Sequence, residues 1–280
     1  MGNKRKFRIV PELPEVETTK RGIEPHLLKN KLINCKVNNG SFRIPFEKKS
    51  FSRVSGFTIN EIKRIAKYIS IVFSNKSQLI IHLGMTGTLR VTGKPPNLKH
   101  DHIIFKINNG NNLIFNDPRR FGLVKILDSD EKFHLLDNNG PDPFDKQVDS
   151  QFLYQKVINR KSTIKSMLLN NKIISGIGNI YASEILFSSK ISPTTNCNEL
   201  TEEDCKKIII SAKTVLNHAI KFGGTTLSDY FNADAKPGYF KNELNVYERA
   251  GESCKKCSTK IVQIVQNNRS TYFCPKCQKT

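Results

Sequence analysis

The chain has 280 residues, room for two domains with cores of their own, and its 45 lysines and arginines against 25 aspartates and glutamates give a formal charge of +20 at pH 7. The excess is spread along the whole chain, which points to a polyanion whose phosphates release counterions on binding. A membrane partner is disfavoured, because the sequence holds no long basic amphipathic helix with an aromatic face, no lipidation signal and no apolar run of spanning length.

Residues 1–10 are basic and lack the apolar stretch of a secretory signal. Pro11 to Glu17 then reads as a Pro-punctuated turn entering a helix with an acidic first turn, which suits the helix dipole. That helix is expected to begin near Glu15, with Val16, Thr19, Ile23 and Leu27 on one face. From Phe57 to Leu127 short apolar runs alternate with turn residues: Tyr68–Phe73, Leu79–Leu83, Leu89–Val91, His102–Ile107, Leu113–Phe115 and Leu123–Leu127. They predict the strands of a sandwich or barrel.

The stretch Asp137–Asp149, with Gly140, Pro141 and Pro143, is the predicted linker. Beyond it the period becomes helical, through Phe152, Val157, Met167 and Leu168 and then a long segment from Thr201 to Phe222. Thr201 with Asp204 has the form of a capping box, and Gly223 and Gly224 stop the helix. A polar loop, Thr225 to Asn245, follows, and a loop of that length inside a domain is usually functional.

Two Cys-x-x-Cys pairs close the chain, Cys254 with Cys257 and Cys274 with Cys277. Two such turns joined by a β-hairpin supply the four soft ligands structural zinc prefers, so one zinc ion per chain is expected. Two disulfides are the alternative, and they require an oxidising compartment. Between the pairs, Ile261, Val262, Ile264 and Val265, then Tyr272 and Phe273, predict two strands around a Gln266, Asn267, Asn268 turn, with Arg269 at the tip. Cys35, Cys197 and Cys205 read as ordinary reduced thiols.

Several further motifs stand between these landmarks: Lys67-Tyr68 at a strand start, His82 to Gly87 (His-Leu-Gly-Met-Thr-Gly), Asp117 to Gly122 (Asp-Pro-Arg-Arg-Phe-Gly) and Gly176 to Ala182 (Gly-Ile-Gly-Asn-Ile-Tyr-Ala). With the Pro11-Glu12-Leu13-Pro14-Glu15 start and the zinc hairpin, they run in one order from Pro11 to the C-terminus. In that order the chain resembles the formamidopyrimidine-DNA glycosylases, bacterial base-excision enzymes that remove oxidised purines such as 8-oxoguanine. The resemblance implies an α+β multidomain protein. An N-terminal β-sandwich flanked by helices would cover 11–136, a linker 137–149, a helix-two-turn-helix domain with a lesion-capping loop 150–245, and a zinc finger 246–280. It further implies a monomer acting in the bacterial cytoplasm, at the nucleoid, on double-stranded DNA carrying oxidised bases or abasic sites in a cleft between the halves.

The resemblance also assigns roles. Pro11 would be the nucleophile through a free secondary amine, Glu12 a proton shuttle at the sugar ring oxygen, and Glu15 a counter-charge to the cation formed. Lys67, His82, Asn179 and Arg269 would grip phosphates, with Lys67 also assisting elimination. Met85, Arg119 and Phe121 would fill the space left by an extruded base. The loop Thr225 to Tyr239 would close over that base, and Lys165 would reach the same pocket. Standing alone, Lys67 would read as a solvated lysine, His82, Met85 and Phe121 as core residues, and Gly176-x-Gly178-Asn179 as a plain turn.

The sequence departs from the family pattern at two places. Pro11 is preceded by ten residues, and an internal proline nitrogen is an amide with no basic lone pair. Initiation at a Val10 codon, followed by trimming, is the expected resolution. Proteolytic removal of residues 1–10, or a non-catalytic damage-binding protein, are the alternatives. Glu248 follows Tyr247 where the family tends to have glycine, which bears on the local turn alone. Within the enzyme class the sister family of endonuclease VIII, acting on oxidised pyrimidines, is the runner-up. Leu13 and the Met85, Arg119, Phe121 set favour the purine branch.

Overall fold

The computed structural model describes residues 10–96, 98–225 and 240–279. Helix α1 runs Leu13–Leu27 and starts ahead of the expected position, because Glu12 acts as N-cap. The Glu15 carboxylate takes the Glu12 N–H at 3.0 Å, completing a capping box that satisfies donors the helix itself leaves unpaired. Val16, Thr19, Ile23 and Leu27 are all buried, as their spacing predicts.

Eight strands follow: β1 Leu32–Val37, β2 Ile59–Ile65, β3 Tyr68–Phe73, β4 Gln78–His82, β5 Thr88–Thr92, β6 Asp101–Ile107, β7 Asn112–Asn116 and β8 Leu123–Leu127. They form two antiparallel four-stranded sheets, in the orders β1-β6-β7-β5 and β2-β3-β4-β8. Ile69, Ile71, Phe73, Leu79 and Ile81 of the second sheet, Ile103, Phe105, Leu113 and Phe115 of the first, and Val16, Ile23 and Leu27 of α1 share one core. Each such side chain contributes about 1.5–3 kcal/mol by leaving water. The sandwich is therefore closed by α1, and the start of that helix is held by the core.

Beyond the first unit, α2 is a single turn, His134–Asp137. Helices α3 Ser150–Val157, α4 Ile164–Leu168, α5 Asn179–Ser189 and α6 Glu202–Lys221 come next. The expected box caps α6: Thr201 Oγ1 accepts the Asp204 N–H at 3.2 Å, and an Asp204 oxygen accepts the Thr201 N–H at 3.3 Å. Gly223 and Gly224 then take the left-handed backbone that ends the helix (φ 76° and 79°). The predicted linker is packed against its own unit, since Gly140 N–H donates to Asn171 O at 2.7 Å and a Cβ at Gly140 would lie 2.6 Å from Lys172 O.

The terminal hairpin pairs β9 Val262–Gln266 with β10 Arg269–Phe273. Its turn is Asn267-Asn268, both left-handed (φ 48° and 59°), the form that matches the twist of two-residue hairpins. The chain divides into two compact units, Met1–Asp137 with Phe222–Lys241, and Asn138–Lys221 with Asn242–Thr280. The described ends of the segment after α6, Phe222 to Thr225 and Phe240 to Lys241, cluster with the first unit. Among the described residues no helix is long and apolar enough to cross a membrane.

Candidate active site and metal centre

Pro11 and Glu12 lie at the start of α1, and both are buried. Glu15, wholly buried one turn on, spreads its carboxylate between two chain segments: one oxygen takes the Glu12 N–H, and the other takes the Thr225 N–H at 2.7 Å. Gly224 permits this approach, because a Cβ there would sit 3.0 Å from the same Glu15 oxygen on a left-handed backbone. The expected capping loop, Thr225 to Tyr239, lies outside the described residues apart from Thr225 itself.

Lys67 occupies the tight turn between β2 and β3, after Ala66 in the left-handed region (φ 54°). Arg64 braces that turn, donating to Ala66 O at 3.1 Å and pairing with Glu17 of α1 at 3.0 Å. Burial raises the Glu17 carboxyl, but the hydrogen bond from Arg21 and the cations of Arg64 and Lys20 outweigh it and hold the pKa below the usual value. At the end of β4, His82 accepts the Gly84 N–H on Nδ1 at 3.0 Å and packs against the Tyr68 ring at 4.7 Å. Burial first, then Lys67 and Arg43, push its pKa down to about 4 against a smaller opposing effect of Asp117. The ring is consequently neutral at pH 7, and with Nδ1 as acceptor its proton sits on Nε2.

Met85 lies on the β4–β5 turn, and Arg119 and Phe121 lie on the β7–β8 turn. The Arg119 guanidinium stacks over the Phe121 ring at 4.6 Å from its centroid, and Phe121 is half exposed. The stacked cation thus holds an apolar ring at the surface.

The second unit carries Lys165, Asn179, Arg269 and the four cysteines. Lys165 on α4 is fully buried. Its ammonium donates to Asn179 Oδ1 at 2.7 Å, Ser270 O at 3.0 Å and Thr271 Oγ1 at 2.7 Å. An ammonium has no acceptor, so its contact with Oδ1 fixes the Asn179 amide flip. One hydrogen of Nδ2 then goes to Ser270 O at 2.9 Å, which fastens the start of α5 to the hairpin. Arg269, next to Ser270, stands exposed at the hairpin tip. Glu184, buried on α5, accepts from the consecutive N–H groups of Asn245, Val246 and Tyr247 at 2.9 Å each and so ties the entry of the zinc module to the same helix.

The sulfurs of Cys254, Cys257, Cys274 and Cys277 lie within 4.8 Å of one another, and none of the four forms a disulfide. Four thiolates around one ion at about 2.3 Å would stand about 3.8 Å apart, close to the 3.9 Å of Cys254–Cys277 and the 3.4 Å of Cys257–Cys274. Phe187, Val246, Ile261 and Tyr272 pack around them. These residues hold one structural zinc ion. Glu248 takes the left-handed conformation (φ 59°) that a glycine would adopt freely, so the turn survives the departure from the family pattern.

Sequence reasoning misses the supporting contacts: Thr225 on Glu15, Arg64 and Glu17 behind Lys67, Thr271 on Lys165, and Glu184. Each joins segments far apart in the chain, 210 residues in the case of Thr225 and Glu15, and no local signal marks them.

Three family models match the chain in succession. They are the formamidopyrimidine-DNA glycosylase N-terminal domain over residues 10–124, the H2TH domain of the same enzymes over 139–230, and the zinc finger found in FPG and IleRS over 251–280. The formamidopyrimidine-DNA glycosylase of Wolbachia pipientis is 43% identical over 270 residues, 96% of this chain and 100% of the relative. Among solved structures, a Lactococcus lactis FPG mutant in complex with a Fapy-dG containing DNA is similar with a TM-score of 0.87 at 33% identity, over 96% of this chain and 100% of that one. The Lactococcus lactis Fpg complex with an abasic site containing DNA gives 0.85 at 32%, with the same coverage.

Proposed function

The chain belongs to the formamidopyrimidine-DNA glycosylase family, and on that premise we propose that it excises 8-oxoguanine and formamidopyrimidines from duplex DNA and then cleaves the strand. It works as a base-excision glycosylase and abasic-site lyase at the bacterial nucleoid. The observation that carries this reading is the buried acid cluster directly behind Pro11, in which Glu12 and Glu15 share a capping box and Glu15 also holds Thr225.

With residues 1–10 absent, Pro11 presents a secondary amine with a pKa of roughly 8, partly unprotonated at neutral pH. It attacks C1′ of the damaged nucleotide, and the base departs with the glycosidic electron pair. Glu12 takes the proton that the attacking amine sheds and delivers it to the sugar ring oxygen as the ring opens, leaving an iminium cation on Pro11 that Glu15 offsets, while water protonates the departed base. The cation acidifies C2′, whose proton is removed as the 3′ phosphate leaves. A second elimination expels the 5′ phosphate, and water releases the sugar fragment from the amine.

DNA is held by Lys67, neutral His82 through its Nε2–H, Asn179 and Arg269, while Met85, Arg119 and Phe121 occupy the emptied stack. Neutral His82 contributes a hydrogen bond to phosphate and no counter-charge, so its loss leaves the salt dependence of binding unchanged.

Borohydride trapping on a duplex with 8-oxoguanine opposite cytosine tests the reading, using a chain that begins at Pro11. A covalent adduct mapping to Pro11 is expected. Tight lesion binding without an adduct would establish the non-catalytic alternative.

A further inference from the structure

The turns that carry Met85 and Arg119–Phe121 are fastened to each other by a single buried carboxylate. Asp117 is wholly buried. Its Oδ1 accepts the Thr86 hydroxyl at 2.6 Å and the Arg119 N–H at 3.2 Å, and its Oδ2 accepts the Gly122 N–H at 2.8 Å. Its carbonyl accepts the Arg120 N–H at 3.2 Å and the N–H of His102 Nε2 at 3.0 Å. Thr86 Oγ1 also accepts the Arg119 N–H at 3.2 Å. Thr86 directly follows Met85, and Asp117 stands two residues before Arg119 and four before Phe121, so one hydrogen-bonded junction sets the spacing of all three side chains.

The backbone shows how tightly the two turns are joined. A Cβ at Gly84 would lie 2.5 Å from Gly122 N and from the Phe121 carbonyl carbon, and one at Gly122 would lie 2.9 Å from His82 O. Arg120 takes a left-handed conformation (φ 59°) that non-glycine residues adopt rarely, which bends the chain so that Arg119 and Phe121 meet. Phe121 stays half exposed although it sits on a turn with this many internal bonds. A rigid base supporting an outward ring is the arrangement a wedge needs, because a wedge that yields on insertion returns its binding energy to its own distortion.

We propose that Asp117 and Thr86 are positioning residues for base extrusion: their hydrogen bond locks the Met85, Arg119 and Phe121 turns in the geometry that enters the stack. This rests on the space-filling role proposed above for those three side chains. Neither residue touches the reacting sugar on this account. Their contribution is confined to substrates whose target base must be pulled out of a paired stack, and it vanishes where the base is already unpaired.

The test measures single-turnover excision of 8-oxoguanine by Thr86→Val, Asp117→Asn and Phe121→Ala, on a fully paired duplex and on one with the lesion inside a three-nucleotide mismatched bubble. Thr86→Val and Asp117→Asn should lose about tenfold on the paired duplex and less than twofold on the bubble, and Thr86→Ser should restore the paired rate. Equal losses on both substrates would overturn the inference by assigning the pair a general structural role. A paired-only loss in Phe121→Ala without one in Thr86→Val would overturn the inference and leave the wedge reading standing. No such split in Phe121→Ala would remove the wedge reading and the inference with it. Because Asp117→Asn removes a buried charge, Thr86→Val is the deciding variant wherever the first does not fold.

Discussion

Replacing Lys165 by methionine removes an ammonium and keeps most of the side-chain volume. Three acceptors then lose a donor, namely Asn179 Oδ1, Ser270 O and Thr271 Oγ1. Charge-assisted bonds are worth about 1.5–3 kcal/mol each, so the three total about 4.5–9 kcal/mol, and the ammonium's own burial offsets several kcal/mol of that. A net loss of about 2–3 kcal/mol follows, or about 4–12 °C in melting temperature. The loss has a functional side as well. With Lys165 gone the Asn179 amide keeps only its Nδ2 bond to Ser270 O, so the hydrogen proposed to meet phosphate is held less firmly. We expect roughly tenfold weaker binding to abasic-analogue duplex by fluorescence anisotropy, equivalent to about 1.4 kcal/mol. The salt slope should be unchanged, because no phosphate-neutralising charge is lost. On an Asn179→Ala background the same substitution should cost little further affinity. Wild-type stability and affinity in Lys165→Met, with a selective loss of 8-oxoguanine excision, would refute this account and put the ammonium at the damaged base.

Glu15→Gln leaves one acceptor oxygen for two buried N–H donors, those of Glu12 and Thr225. It should destabilise by about 2 kcal/mol in urea and slow borohydride trapping more than it weakens binding. Cys254→Ser should abolish stoichiometric zinc, measured by metal release, and with it DNA binding, since such a site contributes on the order of 10 kcal/mol at neutral pH. His82 has a folded pKa of about 4 against an ordinary 6.5, so the unfolded chain takes up a proton first. The stability it supports is complete above pH 6.5 and fades by about 3 kcal/mol as pH falls to 4. Denaturant titrations at pH 7 and 4.5 should therefore differ less in His82→Gln than in the wild type. Glu248→Gly should gain about 1 kcal/mol by relieving a left-handed residue, read as a higher melting temperature.

The elements that are legible in the sequence share a cause. β3 and β8 end where their apolar runs end, because both are buried almost throughout. Helix α6 shows its capping box and its glycine stop locally. β1 and β2 are hidden because each buries only two residues, three positions apart with exposed ones between them, which breaks the two-residue alternation, and both pairings carry a register shift. Helix α5 is buried on nearly every side, so its length carries no helical period to read and only its Gly-x-Gly-Asn start is visible. At the site, residue types and order are readable, since cysteine spacing and short motifs are local. The partners that orient them are not. Lys165 reaches Thr271 across 106 residues, and nothing near either one announces the contact.

The first unit is written in two instalments. The chain leaves it at Asp137, builds the helices from α3 to α6, and returns with Phe222–Lys241 before departing again for the zinc hairpin. Until that return, the inner oxygen of Glu15 has no Thr225 N–H, and a buried carboxylate lacks a backbone donor it needs. A growing chain thus makes Glu15 early and finishes its environment 210 residues later. Order of synthesis leaves a fragment able to form the sandwich with this carboxylate still short of one of its backbone donors.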